Sequence, residues 1–146
     1  MKNKVCVLLS TYNGEKFLEK QLNSLFSQTY KNFDLLIRDD GSNDNTINIL
    51  EKYKINYLKG KNIGVIKSFF KLLEIALNKG YEYFLFCDQD DIWELDKIEK
   101  QLFFISSKNQ KLPILVHSDM QIIDEKDKII SESFFKFSKL NPKKKL

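Results

Sequence analysis

The sequence predicts an α/β fold, a mostly parallel sheet with helices on both faces. Short apolar runs alternate along the chain with stretches whose apolar residues recur at helical spacing. Repeated strand-helix alternation is what parallel strands joined by crossover helices produce. In addition, the runs at 5–10, 33–37 and 83–87 each end in a cluster of polar, loop-forming residues. Taken in order, residues 5–10 read as a fully buried strand. The turn Thr11-Tyr12-Asn13-Gly14 follows, then a helix whose stripe is Phe17, Leu18, Leu22, Leu25 and Phe26. A second unit has its strand at 33–37, its loop at Asp39-Asp40-Gly41-Ser42-Asn43-Asp44 and its helix at 46–53, with a short strand at 55–58. Ile66, Phe69, Phe70, Leu73 and Leu77 stripe a third helix, which Gly80 stops, and 83–87 is the next strand. Beyond Asp88-Gln89-Asp90-Asp91 comes a helix running through Phe104. Residues 113–116 then read as a strand, and 120–123 with 128–131 as a hairpin about Asp124-Glu125-Lys126-Asp127.

Composition bounds the class. A chain of 146 residues buries about two-thirds of its unfolded surface, enough for one core. The expected organisation is one domain over 1–135 and a basic C-terminal tail over 136–146. Hydrophobic content of 42% and charged content of 30% are ordinary globular values, and the apolar runs are strand-sized, far short of a membrane span. Lys2 and Lys4 lead into only a short apolar stretch that continues as a turn, so a cytoplasmic location is expected. The net charge of +4 is lysine charge, because Arg38 is the only arginine, and the lysines are interleaved with acids. That pattern argues against a nucleic-acid binder, which gathers arginine and aromatic residues on one face. The cluster Lys143-Lys144-Lys145 leaves contact with an anionic membrane surface open, beside the simpler reading of a frayed tail. Cys6 and Cys87 lie inside apolar strands at no metal-binding spacing and read as buried free thiols.

The apolar run Tyr83-Phe84-Leu85-Phe86-Cys87 discharges into three carboxylates, Asp88, Asp90 and Asp91. Two aspartates about 6 Å apart at an effective dielectric near 20 repel by roughly 3 kcal/mol, so such a cluster calls for a cation. Magnesium takes one or two protein carboxylates and completes its shell with water and substrate phosphate oxygens. Capping of the following helix by Asp90 or Asp91 is the alternative. In an open parallel sheet, ligands bind at the carboxyl ends of the strands, where the winding direction switches. There Ser10-Thr11-Tyr12-Asn13, Asp39-Asp40-Gly41-Ser42 and Asp88-Gln89-Asp90-Asp91 would share one edge. Hydroxyl, amide and phenol groups suit a base and ribose, a carboxylate can accept from a pyrimidine N–H, and the aspartates can hold a metal on a pyrophosphate. Jointly they describe a nucleotide-diphosphate site. Singly, Tyr12 reads equally as a surface aromatic and Asp40-Gly41-Ser42 as a turn with a helix cap.

Ser10-Thr11-Tyr12-Asn13-Gly14, Ser27-Gln28-Thr29-Tyr30, Asp39-Asp40-Gly41-Ser42, Asn62-Ile63-Gly64 and Asp88-Gln89-Asp90-Asp91-Ile92-Trp93 resemble, in this order, the signatures of glycosyltransferase family 2. These are inverting enzymes with the Rossmann-like GT-A fold. The resemblance covers nearly the whole chain, from Val5 to the hairpin. The form Asp-Gln-Asp-Asp-Ile-Trp with Lys97 beyond it is similar to the rhamnosyltransferase-like branch, which builds bacterial surface polysaccharides. The resemblance implies that Thr11 and Tyr12 frame the nucleobase and that Asp40, with Asp39, accepts from the pyrimidine N–H. It implies Asp90 as the direct ligand of Mg2+ or Mn2+, and Asp88 nearer the ribose or sugar as well as the metal. Asp91 would assist or cap a helix, Lys67 lies where it could approach phosphates, and Trp93 would border the acceptor cleft or pack beside the metal loop. His117 and Asp119 stay outside the site.

The activity so implied is metal-dependent transfer, with inversion, from a UDP- or dTDP-linked sugar to a saccharide or lipid-linked saccharide acceptor of a surface polysaccharide. It would take place in the cytoplasm or at the inner face of the membrane. In the family the general base comes from the second half of the fold, with much of the acceptor site, so the catalytic residue is unassigned on these 146 residues. Two expectations stay open: an enzyme, and a truncated fragment that binds a nucleotide sugar without transferring it. A partner polypeptide supplying the missing half is a further expectation. A magnesium-dependent phosphotransfer domain also puts aspartates at strand ends, but gives the Ser10-Thr11-Tyr12-Asn13 turn no purpose.

Overall fold

β1 (Val5–Thr11) is buried at all seven positions, because it needs apolar side chains on both of its faces. In the computed structural model, which describes residues 4–108 and 113–139, Val5, Val7 and Leu9 point to one face. There they meet Leu18, Leu22 and Leu25 of α1 (Leu18–Phe26), Leu50 of α2 (Thr46–Lys52) and Ile98 of α4 (Lys97–Ser106). Cys6 and Leu8 point the other way, onto Leu72 and Ala76 of α3 (Val65–Asn78). The expected helices on both faces follow directly from this alternation.

β2 (Phe33–Asp39), β3 (Tyr57–Lys59) and β4 (Tyr83–Cys87) complete a parallel sheet in the order β3-β2-β1-β4. The chain steps outward from β1 to β3, and α3 then carries it back across the sheet to the far side of β1. The winding direction therefore reverses between β1 and β4, and the crevice at their carboxyl ends is the ligand position of an open α/β sheet. β1, β2, β4 and the first three helices lie within two residues of expectation, and the short third strand is shifted toward Lys59; the helix expected directly after the aspartates begins only at Lys97.

The chain divides into two compact units, the first ending at Phe103 and the second beginning at Phe104. The second contains the expected hairpin as β5 (Ile122–Ile123) and β6 (Ile129–Ser131), antiparallel and shorter than predicted, and a turn of helix, α5 (Phe134–Phe137). The strand expected at 113–116 does not form. Leu115 is 85% exposed, and among the described residues no strand pairs with this run. Pro113 has no N–H to give a ladder, and an apolar run without a partner for its backbone stays irregular. Of the expected basic tail, residues 140–146 lie outside the described residues, and with them the lysine cluster. Among the described residues no helix is long and apolar enough to cross a membrane.

Candidate functional site

Parallel pairing sets Thr11 opposite Asp39, and the Thr11 hydroxyl donates to Asp39 Oδ2 at 3.0 Å. The same carboxylate accepts from Gly41 N at 3.1 Å, Ser42 N at 2.9 Å and the Ser42 hydroxyl at 2.5 Å. Four donors saturate it, and both Thr11 and Asp39 are fully buried. Together they fix the turn after β2, in which Gly41 has φ of 87°, a left-handed conformation that glycine adopts without a Cβ clash.

Asp40 is held as firmly, by different groups. Its carboxylate accepts from Arg38 Nη1 at 2.5 Å, from Ile63 N at 2.9 Å and from Gly64 N at 2.8 Å. The ion pair is buried, with side-chain exposures of 6% and 3%. Arg38 also donates to the Ser68 hydroxyl at 3.0 Å and to the Lys61 carbonyl at 3.0 Å, and Ser10 donates to Ser68 at 2.7 Å. The guanidinium lies so close over Gly60 that a Cβ there would meet Nη2 at 2.2 Å. Burial alone would raise the Asp40 pKa. The Arg38 hydrogen bond, the two amides and the Arg38 charge outweigh it and hold the carboxyl below its ordinary range. Asp40 thus ties the end of β2 to the loop that starts α3.

Beyond β4 the chain does not enter a helix until Lys97, so Asp90 and Asp91 do not cap one. They lie in a loop anchored by Trp93, which is buried in the core and donates its backbone N–H to the Ser24 hydroxyl at 3.0 Å. Lys97 Nζ sits 5.0 Å over the Trp93 ring. Asp88 and Asp90 reach solvent while Asp91 is half-buried. Crowding at the strand end desolvates Asp88 and raises its pKa, and the Asp90 charge adds to this. Asp91 is raised by burial first and then by Asp88 and Asp90, with Lys97 opposing. Gln89 turns back to β1, where its side-chain amide pairs with the backbone of Tyr12.

A cleft of about 290 Å3 opens where these loops meet, lined by Ser10, Tyr12, Asp40, Asn62, Gly64, Val65, Asp88, Gln89 and Asp90. Of the residues expected from sequence, Tyr12, Asp40, Asp88 and Asp90 come together in its wall. Thr11 and Asp39 do not line it. Tyr12 is 43% exposed, so its ring is available to a ligand. Among the described residues no group of three or more His, Cys, Asp or Glu gathers as a protein-only metal cage. Asp88 and Asp90, both exposed, supply hard carboxylate oxygens on the cleft wall, which suits a divalent ion that keeps waters and takes phosphate oxygens. Lys67 is exposed on α3 and Trp93 packs in the core. In the second unit His117 stacks edge-on with Phe135, and Asp119 accepts from the Ser133 hydroxyl and Phe135 N. Cys6 and Cys87 are buried free thiols. Sequence reasoning missed Arg38 and Gln89. A lone arginine beside two aspartates was a signal for the first, but its partner was settled only by folding.

The chain has known relatives. The family model for glycosyl transferase family 2 matches residues 6–143. The dTDP-rhamnosyl transferase RfbG of Shigella flexneri is 38% identical over 102 residues, which are 64% of this chain and 35% of that protein. TuaG of Bacillus subtilis, named for teichuronic acid biosynthesis, is 33% identical over 112 residues, 72% of this chain and 43% of that protein. The crystal structure of S. aureus TarS 1-349 in complex with UDP-GlcNAc superposes with a TM-score of 0.56 and 25% identity, over 84% of this chain and 40% of that one. The chain therefore spans less than half the length of these relatives. Because that family model spans most of the chain, the chain belongs to glycosyl transferase family 2.

Proposed function

We propose that this chain forms the donor-binding part of a metal-dependent, inverting glycosyltransferase that moves a sugar from a UDP- or dTDP-linked donor to a saccharide or lipid-linked saccharide of a surface polysaccharide. The observation that carries this reading is the cleft at the β1/β4 reversal, where the exposed Tyr12 ring and the two carboxylates Asp88 and Asp90 face one volume. The ring offers a stacking surface for the base, and the relatives' names support a nucleotide-linked donor. Asp88 and Asp90 would hold Mg2+ or Mn2+, which when bound supplies a Lewis acid to the diphosphate. Asp40, a lining residue that is only 2% exposed, holds the 61–64 loop through Ile63 N and Gly64 N, and in this reading its carboxylate accepts from a pyrimidine N–H. Thr11 and Asp39 act from behind, by fixing the turn on which Asp40 stands.

In the transfer itself, the acceptor oxygen forms a bond to the anomeric carbon as the bond from that carbon to the diphosphate oxygen breaks. The acceptor proton passes to a general base outside the residues named here. Titration calorimetry of the 146-residue chain with UDP and dTDP, with and without Mn2+, tests the donor site, and a transfer assay separates an enzyme from a binding fragment. Asp90→Ala should weaken Mn2+-dependent nucleotide binding at least tenfold. Unchanged binding in that variant would remove the basis of the proposal.

A further inference from the structure

We infer that Gln89 is a positioning residue, a two-point clamp that holds Tyr12 at a set place relative to Asp88 and Asp90, and that Gly14 is glycine because the clamp occupies the space of its side chain. The inference rests on the donor-site reading above, and it assigns a role to the residue between the two aspartates. Gln89 Oε1 accepts from Tyr12 N at 2.8 Å, and Gln89 Nε2 donates to Tyr12 O at 3.0 Å. The amide thus satisfies both backbone groups of one residue, as a neighbouring strand would, at the point where β1 and β4 have ceased to pair. The rest of the Tyr12 loop is tied elsewhere: Asn13 N donates to the Ser42 hydroxyl at 2.9 Å and Gly14 N to the Thr46 hydroxyl at 2.7 Å. Those bonds fix the loop to the β2 side, and Gln89 fixes it to the β4 side.

The close approach of Gly14 is independent evidence. A Cβ at Gly14 would lie 2.4 Å from Gln89 Oε1 and 2.7 Å from its Cδ. No methyl fits there while the amide stays in place. The end of a glutamine side chain moves easily, so alanine at 14 would displace the amide rather than unfold the chain. Gly14 and Gln89 therefore act as one unit, and their effects must fail to add.

A double-mutant cycle in the full 146-residue chain decides this, with UDP affinity in Mn2+ read by calorimetry. Gly14→Ala and Gln89→Ala each weaken UDP binding about tenfold, and the double variant also about tenfold, against the roughly hundredfold of independent sites. The UDP-to-uridine affinity ratio falls in all three variants, because a positioning clamp acts on joint engagement of base and diphosphate rather than on either alone. Gln89→Asn, one methylene too short to reach Tyr12, behaves as Gln89→Ala and stands in should Gly14→Ala fold poorly. Multiplying effects, a ratio that stays level, or wild-type affinity in Gln89→Ala would overturn the clamp. Hydrogen exchange of the Tyr12 amide in the ligand-free chain gives a second readout. Protection is lost to the same extent in all variants if the clamp exists, and kept in Gln89→Ala if it does not. If the wild-type chain binds neither UDP nor dTDP, the donor-site reading fails and the exchange measurement still decides the clamp.

Discussion

Replacing Arg38 by methionine removes the charge that balances Asp40 and keeps most of the side-chain volume. The pair is almost wholly dry, and Arg38 also holds Ser68 and the Lys61 carbonyl. Breaking such a pair from one side leaves a buried carboxylate without its cation, at a cost of about 3–5 kcal/mol. The Ile63 and Gly64 amides still reach Asp40, so the lower figure, about 3 kcal/mol, is expected at pH 7. With a urea m-value of about 1.5 kcal/mol/M, the midpoint falls by about 2 M. Trp93, the single tryptophan and a core residue of the first unit, reports the transition by fluorescence.

The loss should shrink in acid, and the sign is fixed by the linkage between protons and folding. In the wild type the Asp40 pKa is lowered on folding, so its contribution is present above the ordinary carboxylate value and is lost as pH falls through the folded one. In the variant burial dominates, the folded pKa rises, and protonation relieves the site as pH falls from 7 toward 4. The double variant Arg38→Met with Asp40→Asn should recover more than half of the loss. A shift under about 0.5 M at pH 7, or a double variant no more stable than Arg38→Met, would refute the buried pair as the anchor of the 61–64 loop.

Tyr12→Ala should weaken UDP binding by about 1–3 kcal/mol, the usual worth of one base on an aromatic ring, with Mn2+ dependence intact; calorimetry at two metal concentrations reads both. Mn2+ affinity should fall as pH drops from 7 into the range just above the ordinary carboxylate value, because the raised Asp88 carboxyl takes up its proton early and the proton competes with the ion. The same shift makes the folded state bind more protons than the unfolded one. In the absence of metal, stability therefore declines as pH rises through that window, and added Mn2+ reverses the decline; thermal unfolding between pH 4 and 7 measures this.

The order of strands and helices was legible because period and burial agree along the chain. β1 is apolar at successive positions because both of its faces are covered, and α3 carries its stripe to the stop at Gly80. The run at 113–116 misled for the same reason: apolar residues without a pairing partner look like a strand until the backbone is asked where its hydrogen bonds go. The polar loops were visible as chemistry, and Tyr12, Asp40, Asp88 and Asp90 do converge on one cleft. Thr11 and Asp39 precede Tyr12 and Asp40 directly in the chain but turn inward, since register sets them opposite each other in a dry layer.

Sequence by itself determined the fold class, the strand ends at which the chemistry gathers and the family resemblance, since these depend on local period and on short motifs. Tertiary structure alone decided which aspartates face the cleft, that Arg38 neutralises Asp40, and that Gln89 spans 77 residues to hold Tyr12. A side chain's partner across the sheet is fixed by pairing and packing of segments distant in the chain, and no local pattern records it.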